Sequence, residues 1–148
     1  MTVVVARRPM SASADQVWAM LRTGERMDRW VPAITLCEVT GSGEGASRRC
    51  VLDGHELVER IESVDDEGRV FQYRILEQSV LPVRDVLGTL FVLERGESCE
   101  VVWLTSFELL DPSAREVVRS AMRGIYEAGL EGLEDLVQPP GREGRGSS

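Results

Sequence analysis

The sequence predicts an α+β fold in which a curved antiparallel sheet of about six or seven strands wraps on a long C-terminal helix, with one or two short helices after the first strand. Three observations carry this. From Ala33 to about Leu109 the apolar residues recur at a spacing of two, and turn residues cut that stretch into short strands. The only long segment with helical spacing follows it, between Asp111 and Val137. Strands in one run with helices outside it characterise α+β domains, and a lone amphipathic helix is then the element available to cover the sheet.

Residues 2–10, rich in valine, form the first strand. Ser13-Ala14-Asp15-Gln16 has capping-box spacing, and Val17, Trp18, Met20 and Leu21 follow as a short helix. A second short helix over residues 23–29 is stopped at Trp30-Val31-Pro32, because a residue before proline is pushed out of the α region. Ile34, Leu36 and Val39 mark the next strand, and the glycine-rich segment 41–45 is read as a strand–strand turn over a pocket mouth. Strands are expected at 48–52 and 55–64, joined by the tight-turn pair Asp53-Gly54, then at 69–76, 83–93 and 98–109. Asp111-Pro112-Ser113 opens the last helix, with a second capping-box spacing from Ser113 to Glu116. Its face is Val118, Met122, Ile125, Gly129, Leu133 and Leu136, over about 24 residues. Gly124, Gly129 and Gly132 inside it each cost about 1 kcal/mol against alanine, which suits close backbone approach or a need for space. Residues 1–137 are therefore the domain, and 138–148, with Pro139-Pro140-Gly141, read as a disordered tail.

Composition excludes several functions. A net charge of −8 over 148 residues, with the basic residues scattered, argues against nucleic acid and against a polybasic membrane-surface helix. No apolar run is long enough to span a bilayer, and the basic pair Arg7-Arg8 follows its short apolar run rather than preceding it, so a cytoplasmic protein is expected. Cys37, Cys50, Cys99 and one histidine do not make a zinc site, so reduced thiols and no metal are expected.

One strand breaks its own pattern. Alternation puts His55, Leu57, Glu59, Ile61 and Ser63 on the buried face, so the Glu59 carboxylate stands between aliphatic neighbours. A buried carboxylate must be protonated, paired or hydrated. Across the Asp53-Gly54 turn, Arg48 shares a face with Cys50 and Leu52 and can reach the same region. Two readings stand: a pair of polar groups that merely satisfy each other, or a general base beside a cation that steadies a developing oxyanion. The strand from Val83 is undecided, since Arg84, Val86, Gly88, Leu90 and Val92 compete with Asp85, Leu87, Thr89, Phe91 and Leu93 for the inside. Trp103 and Phe107 lie on the more aromatic face of the last strand, and His55 sits at a strand mouth.

These residues, together with Gln16-Val17-Trp18, Trp30-Val31-Pro32-Ala33-Ile34, Gly45-Ala46-Ser47-Arg48, Val58-Glu59-Arg60, Pro82-Val83-Arg84-Asp85 and Tyr126-Glu127-Ala128-Gly129-Leu130, carry a resemblance. The chain resembles the polyketide cyclase/dehydratase-like branch of the START, or birch-pollen-allergen-like (SRPBCC), superfamily over residues 5–136. Within it, the chain is similar to bacterial methanol-oxidation accessory-like proteins and distantly to lachrymatory-factor synthase. The resemblance implies a helix-grip fold and an internal pocket for a small hydrophobic organic ligand, with no cofactor, in a monomer or homodimer. It implies that Val86, Gly88 and Leu90 point inward, and that Glu59 and Arg48 are the catalytic pair, acid/base and oxyanion anchor. The ligand-binding wall would draw on Trp30, on His55 and Leu57, on Val86, Gly88 and Leu90, on Trp103 and Phe107, and on Met122, Ile125 and Tyr126. The third polar group of that synthase, a tyrosine, falls on Val86, and bacterial relatives carry histidine where this chain has Val31. These departures argue against sulfenic-acid chemistry and leave proton transfer in a more apolar pocket. A cyclase, dehydratase or isomerase is one implied function, a carrier or sensor another, and an interaction module a third.

Overall fold

The computed structural model describes residues 1–138, so the tail expected from residue 138 falls, from 139 onward, outside the described residues. Its elements are β1 (Thr2–Met10), α1 (Ala14–Leu21), α2 (Met27–Trp30), β2 (Ile34–Thr40), β3 (Ser47–Leu52), β4 (His55–Asp65), β5 (Val70–Glu77), β6 (Val83–Arg95), β7 (Ser98–Leu109) and α3 (Arg115–Leu136). The strands make one antiparallel sheet in the order β1-β7-β6-β5-β4-β3-β2. From β2 to β7 each strand pairs with its sequence neighbour, and β1 closes the far side against β7. α3 lies on the concave face against β1, β7 and α2, which is the helix-grip arrangement.

Local chemistry explains the boundaries. The Gln16 amide N–H donates to Ser13 Oγ at 3.2 Å and the Ser13 amide N–H to Gln16 Oε1 at 3.0 Å, completing the first capping box. The second short helix starts later than the sequence suggests, at Met27, because Gly24 and Arg26 hold φ at +73° and +67° and keep that segment out of a right-handed helix. Asp53 and Gly54 both have positive φ, as a two-residue type I′ hairpin requires. The Ser113–Glu116 box does not form: Asp111 Oδ1 takes both the Ser113 amide N–H (3.0 Å) and its hydroxyl (2.7 Å), a 3₁₀ turn spans Pro112–Ala114, and Ala114 stands at the N-cap of α3. α3 thus has 22 residues.

α3 buries Val118, Met122, Tyr126, Gly129, Leu130 and Leu133, while Ile125 is half-buried and Leu136 is 37% exposed. The face is rotated slightly from the expected one toward Tyr126 and Leu130. Two of its glycines serve close packing. A Cβ on Gly132 would stand 2.1 Å from the Trp30 carbonyl oxygen, and one on Gly129 would stand 3.2 Å from both Trp103 and Val31. Gly124 faces open space. No helix of the described residues is long and apolar enough to cross a membrane.

Candidate functional site

β4 carries Glu59 inward because its neighbours two residues away, Leu57 and Ile61, belong to the core. Arg48 of β3 is its direct cross-strand partner, so both side chains leave the sheet on one face. Arg48 Nε donates to Glu59 Oε1 at 2.6 Å, with the two residues 1% and 4% exposed. Arg48 Nη1 donates to the Gly24 carbonyl at 3.0 Å, and its guanidinium carbon lies 4.8 Å from the Tyr73 ring centre and 5.5 Å from that of Phe71. Burial by itself acts to lower the Arg48 pKa, but the opposing charge of Glu59, with smaller contributions from Cys50, Tyr73 and Cys37, outweighs it and the net shift is upward. The guanidinium is permanently charged. Arg48 Nη2 and Trp30 Nε1 are buried with no hydrogen-bond partner among the described residues.

In front of this pair, between the sheet and α3, is an apolar cavity of about 70 Å³. One water needs roughly 10–15 Å³ on this measure, so there is room for several waters or a compact organic group. Of the residues read from the sequence, Leu57, Glu59, Val86, Trp103, Met122, Ile125 and Tyr126 line it. Among the described residues, Glu59 is the only carboxylate in the lining. Toward solvent the wall passes to Ile75, Val80, Leu81 and Ile125, all half-buried, and to Gln78. Gln78 shapes the β5–β6 loop: its Nε2 donates to the Leu81 and Val83 carbonyls (2.9 and 3.2 Å), and its Oε1 accepts from the Val80 and Leu81 amides (2.9 and 3.0 Å).

The other expected positions lie elsewhere. Arg48 is not in the lining; its fork is taken up by Glu59, Gly24 and two aromatic rings, so it stands behind the carboxylate rather than facing a ligand oxygen. Trp30 supports the wall from behind, its ring 5.5 Å from that of Trp103 and tilted by 53°. Leu90 and Phe107 point inward but are packed into the core, 2% and 1% exposed, without lining the cavity. Gly88 does not add empty space. A Cβ there would meet Tyr73 Cζ at 2.1 Å, so the missing side chain is the seat of the Tyr73 ring from the facing position on β5. His55 is exposed beside the β3–β4 turn, opposite Leu52, and does not line the cavity. The 41–45 turn is at the opposite end of β3 from Leu52, which does line it, so the cavity opens by the β5–β6 loop instead. The strand pattern could not foresee this, because both ends of a curved sheet carry turns.

Of the lining residues that sequence reading missed, Tyr73 is the titratable one. Its signal was a tyrosine alternating with Phe71 and Ile75 on the inner face of β5, opposite a mid-strand glycine. Trp103 Nε1 donates to the Tyr73 hydroxyl at 3.1 Å, and the Thr105 hydroxyl donates to the Tyr126 hydroxyl at 2.7 Å. Trp103 stacks on Tyr126 with ring centres 4.1 Å apart. Burial drives the Tyr73 phenol well above its ordinary range, and it pushes Tyr126 up to about 12, with hydrogen bonds from Thr105 and Tyr73 acting the other way. Both phenols are therefore neutral donors at ordinary pH. These are the only two tyrosines in the chain, which makes the effect directly measurable. The folded pKa is raised, so the stabilising effect is complete below the ordinary value of 10 and is lost as pH rises toward about 12. An alkaline absorbance titration should show little tyrosinate up to pH about 11 while the chain is folded, and most of both phenols ionised at that pH once denaturant is added. Ionisation of both phenols at the ordinary value in folded protein would contradict their burial.

Among the described residues, no group of three His, Cys, Asp or Glu side chains stands close enough to hold a metal. Residues 1–138 match the family model described as polyketide cyclase / dehydrase and lipid transport. A search of curated protein sequences finds no match. Among solved structures, XoxI from Bacillus cereus is similar at 27% identity and a TM-score of 0.82, over 93% of this chain and 96% of that one. An uncharacterised protein from Bacillus thuringiensis is similar at 26% identity and a TM-score of 0.81, over 92% and 98%. Norcoclaurine synthase from Thalictrum flavum, solved with dopamine and hydroxybenzaldehyde, shares the fold at 23% identity and a TM-score of 0.75, over 92% of this chain and 86% of that one.

Proposed function

Because the chain belongs to the polyketide cyclase / dehydrase and lipid transport family, we propose that its cavity binds a compact, largely apolar metabolite bearing a carbonyl or phenolic oxygen and that Glu59 moves a proton on it. One observation carries the reading: a single carboxylate and two neutral phenols line a cavity that is otherwise almost wholly apolar. Apolar walls supply affinity without direction, and a few convergent polar groups supply orientation. Glu59 acts as acid/base, Tyr73 and Tyr126 donate hydrogen bonds to the ligand oxygen as it gains charge, and Arg48 is a positioning residue that holds the carboxylate in one rotamer. The reaction class is cofactor-independent cyclisation, dehydration or isomerisation, in which the proton taken from carbon is returned to carbon or to a leaving hydroxyl.

A second reading has its own support. The Glu59 oxygen nearest the cation is already committed to Arg48, and a carboxylate held in an ion pair suits a carrier or sensor that only recognises its ligand. The test begins with native mass spectrometry of protein from its own host, to identify the co-purifying molecule. That molecule is then incubated with protein in deuterated water. Catalysis requires protein-dependent deuterium incorporation or a new product, lost in Glu59→Gln, which keeps an acceptor for Arg48. A ligand recovered unlabelled and unchanged establishes the carrier, and no bound molecule of any kind overturns both readings.

A further inference from the structure

A second cluster of reactive groups lies outside the cavity, at the β2–β3 ladder. Cys37 and Cys50 face each other directly across these antiparallel strands, so their side chains leave the sheet on the same face. Facing residues of such a pair have Cα atoms about 4.5–5.5 Å apart, inside the roughly 4.4–6.8 Å that a disulfide spans. The two thiols are free. They differ in access. Cys37 is half-buried and lines a polar surface groove with the arginines Arg26, Arg29 and Arg49 and the acids Glu25, Asp28 and Glu38, whereas Cys50 is fully buried behind it. Cys50 reaches the buried ion pair, and Cys37 a carbonyl that the pair's arginine also uses. Cys37 Sγ lies 3.5 Å from the Gly24 carbonyl oxygen, the acceptor of Arg48 Nη1, and Cys50 Sγ lies 3.9 Å from Glu59 Oε1.

We propose that Cys37 and Cys50 are a thiol modification site, in which Cys37 is the entry point for a hydroperoxide and Cys50 closes an intrachain disulfide with it. Chemical asymmetry supports the assignment of roles. The Cys37 thiol is held down to about 7 by the facing Cys50 thiol, with the Met27 backbone and the Arg48 charge adding to this against burial and the Glu59 charge. The Cys50 thiol is pushed up by the facing Cys37 and by burial. Thiolate is the attacking form, so the outer cysteine reacts first. Its sulfur attacks one peroxide oxygen, the O–O bond breaks, and the other oxygen leaves as water or an alcohol. The Cys50 sulfur then displaces the hydroxyl of the Cys37 sulfenic acid, and its proton departs with that hydroxyl as water. Two thiols are oxidised to one disulfide and the hydroperoxide is reduced by two electrons. Closure removes both S–H groups beside the Arg48–Glu59 pair, so the redox state of the ladder is felt at the inner end of the cavity. The inference holds whether or not Glu59 is catalytic.

The test uses the full chain, reduced and then treated with one equivalent of hydrogen peroxide before alkylation and peptide mass mapping. The expected product is a Cys37–Cys50 disulfide, with Cys99 still open to alkylation after unfolding. Cys99 is the internal control, a buried thiol on β7 raised by burial. Cys50→Ser should stop at a Cys37 sulfenic acid that dimedone captures, and Cys37→Ser should consume peroxide about tenfold more slowly. In the unsubstituted protein, native iodoacetamide should label Cys37 about tenfold faster than Cys99, a readout that needs no variant to fold. Equal labelling rates, a ladder still fully alkylatable after peroxide, or disulfides only between two copies would each overturn the proposal.

Discussion

Glu59→Ala should lower the unfolding free energy by about 3–5 kcal/mol, measured by urea denaturation of the purified chain. The carboxylate is the charge partner of an arginine that is 1% exposed, and its removal leaves a guanidinium in the core with only the Gly24 carbonyl and two ring faces around it. Breaking one side of a buried pair strands the other, whereas replacing both sides by apolar groups is often close to neutral. The double variant Arg48→Met/Glu59→Leu should therefore recover most of the loss, although each single change is severe. A Glu59→Ala protein within about 0.5 kcal/mol of the parent would mean that water reaches the pair and that burial is not what governs it. The experiment also disciplines the functional test. Loss of turnover in a Glu59 variant speaks to chemistry only below the temperature at which that variant unfolds.

Gly132→Ala and Gly124→Ala should move stability in opposite directions although both lie in α3. In a helix interior alanine is favoured over glycine by about 1 kcal/mol, and Gly124 has nothing within 4 Å of an added Cβ, so that variant should be stabilised by this amount. At position 132 the added carbon would sit 2.1 Å from the Trp30 carbonyl oxygen. That atom is backbone, anchored at the end of α2, and cannot rotate away. Either α3 lifts from α2 or the helix rotates, at a loss of about 3 kcal/mol, near the upper end for overpacking. Because Met122, Ile125 and Tyr126 ride on the same helix and line the cavity, the displacement should also weaken ligand binding. Thermal melts of the two variants check the signs, and a stabilised Gly132→Ala would show that α2 and α3 are not in close contact.

The α+β fold was legible in the sequence because its signals are local, and the family and its helix-grip arrangement through the motifs that carry the resemblance. Period-two spacing from Ala33, the Asp53-Gly54 turn and the Ser13–Gln16 box each depend on a few neighbouring residues and act the same way in any surroundings. The inward position of Glu59 was legible for the same reason, since alternation along one strand decides which side a residue faces. Register, by contrast, is a property of two strands. The two-residue Asp53-Gly54 turn sets Leu52 opposite His55 and hence Arg48 opposite Glu59, whereas Cys37 opposite Cys50 follows from ladder pairing across a longer loop that no single segment encodes.

Depth was decided by the tertiary structure alone. Alternation put Phe107 on an inner face and Arg48 on the face of Cys50 and Leu52, and the resemblance implied the inside for Leu90, but how far the facing layer stands from each is set by the curvature of the sheet and by where α3 rests. Gly132 and Gly129 bring that helix down on Trp30, Trp103 and Val31, and so close one end of the concave face while leaving the end near Ile125 and the β5–β6 loop open. Gly88 shows the same division: the sequence by itself determined a missing side chain at mid-strand, and only packing decided that the Tyr73 ring fills it. Hydrophobic spacing reports direction, a property of one chain segment, whereas a cavity is the distance between two surfaces that meet only on folding.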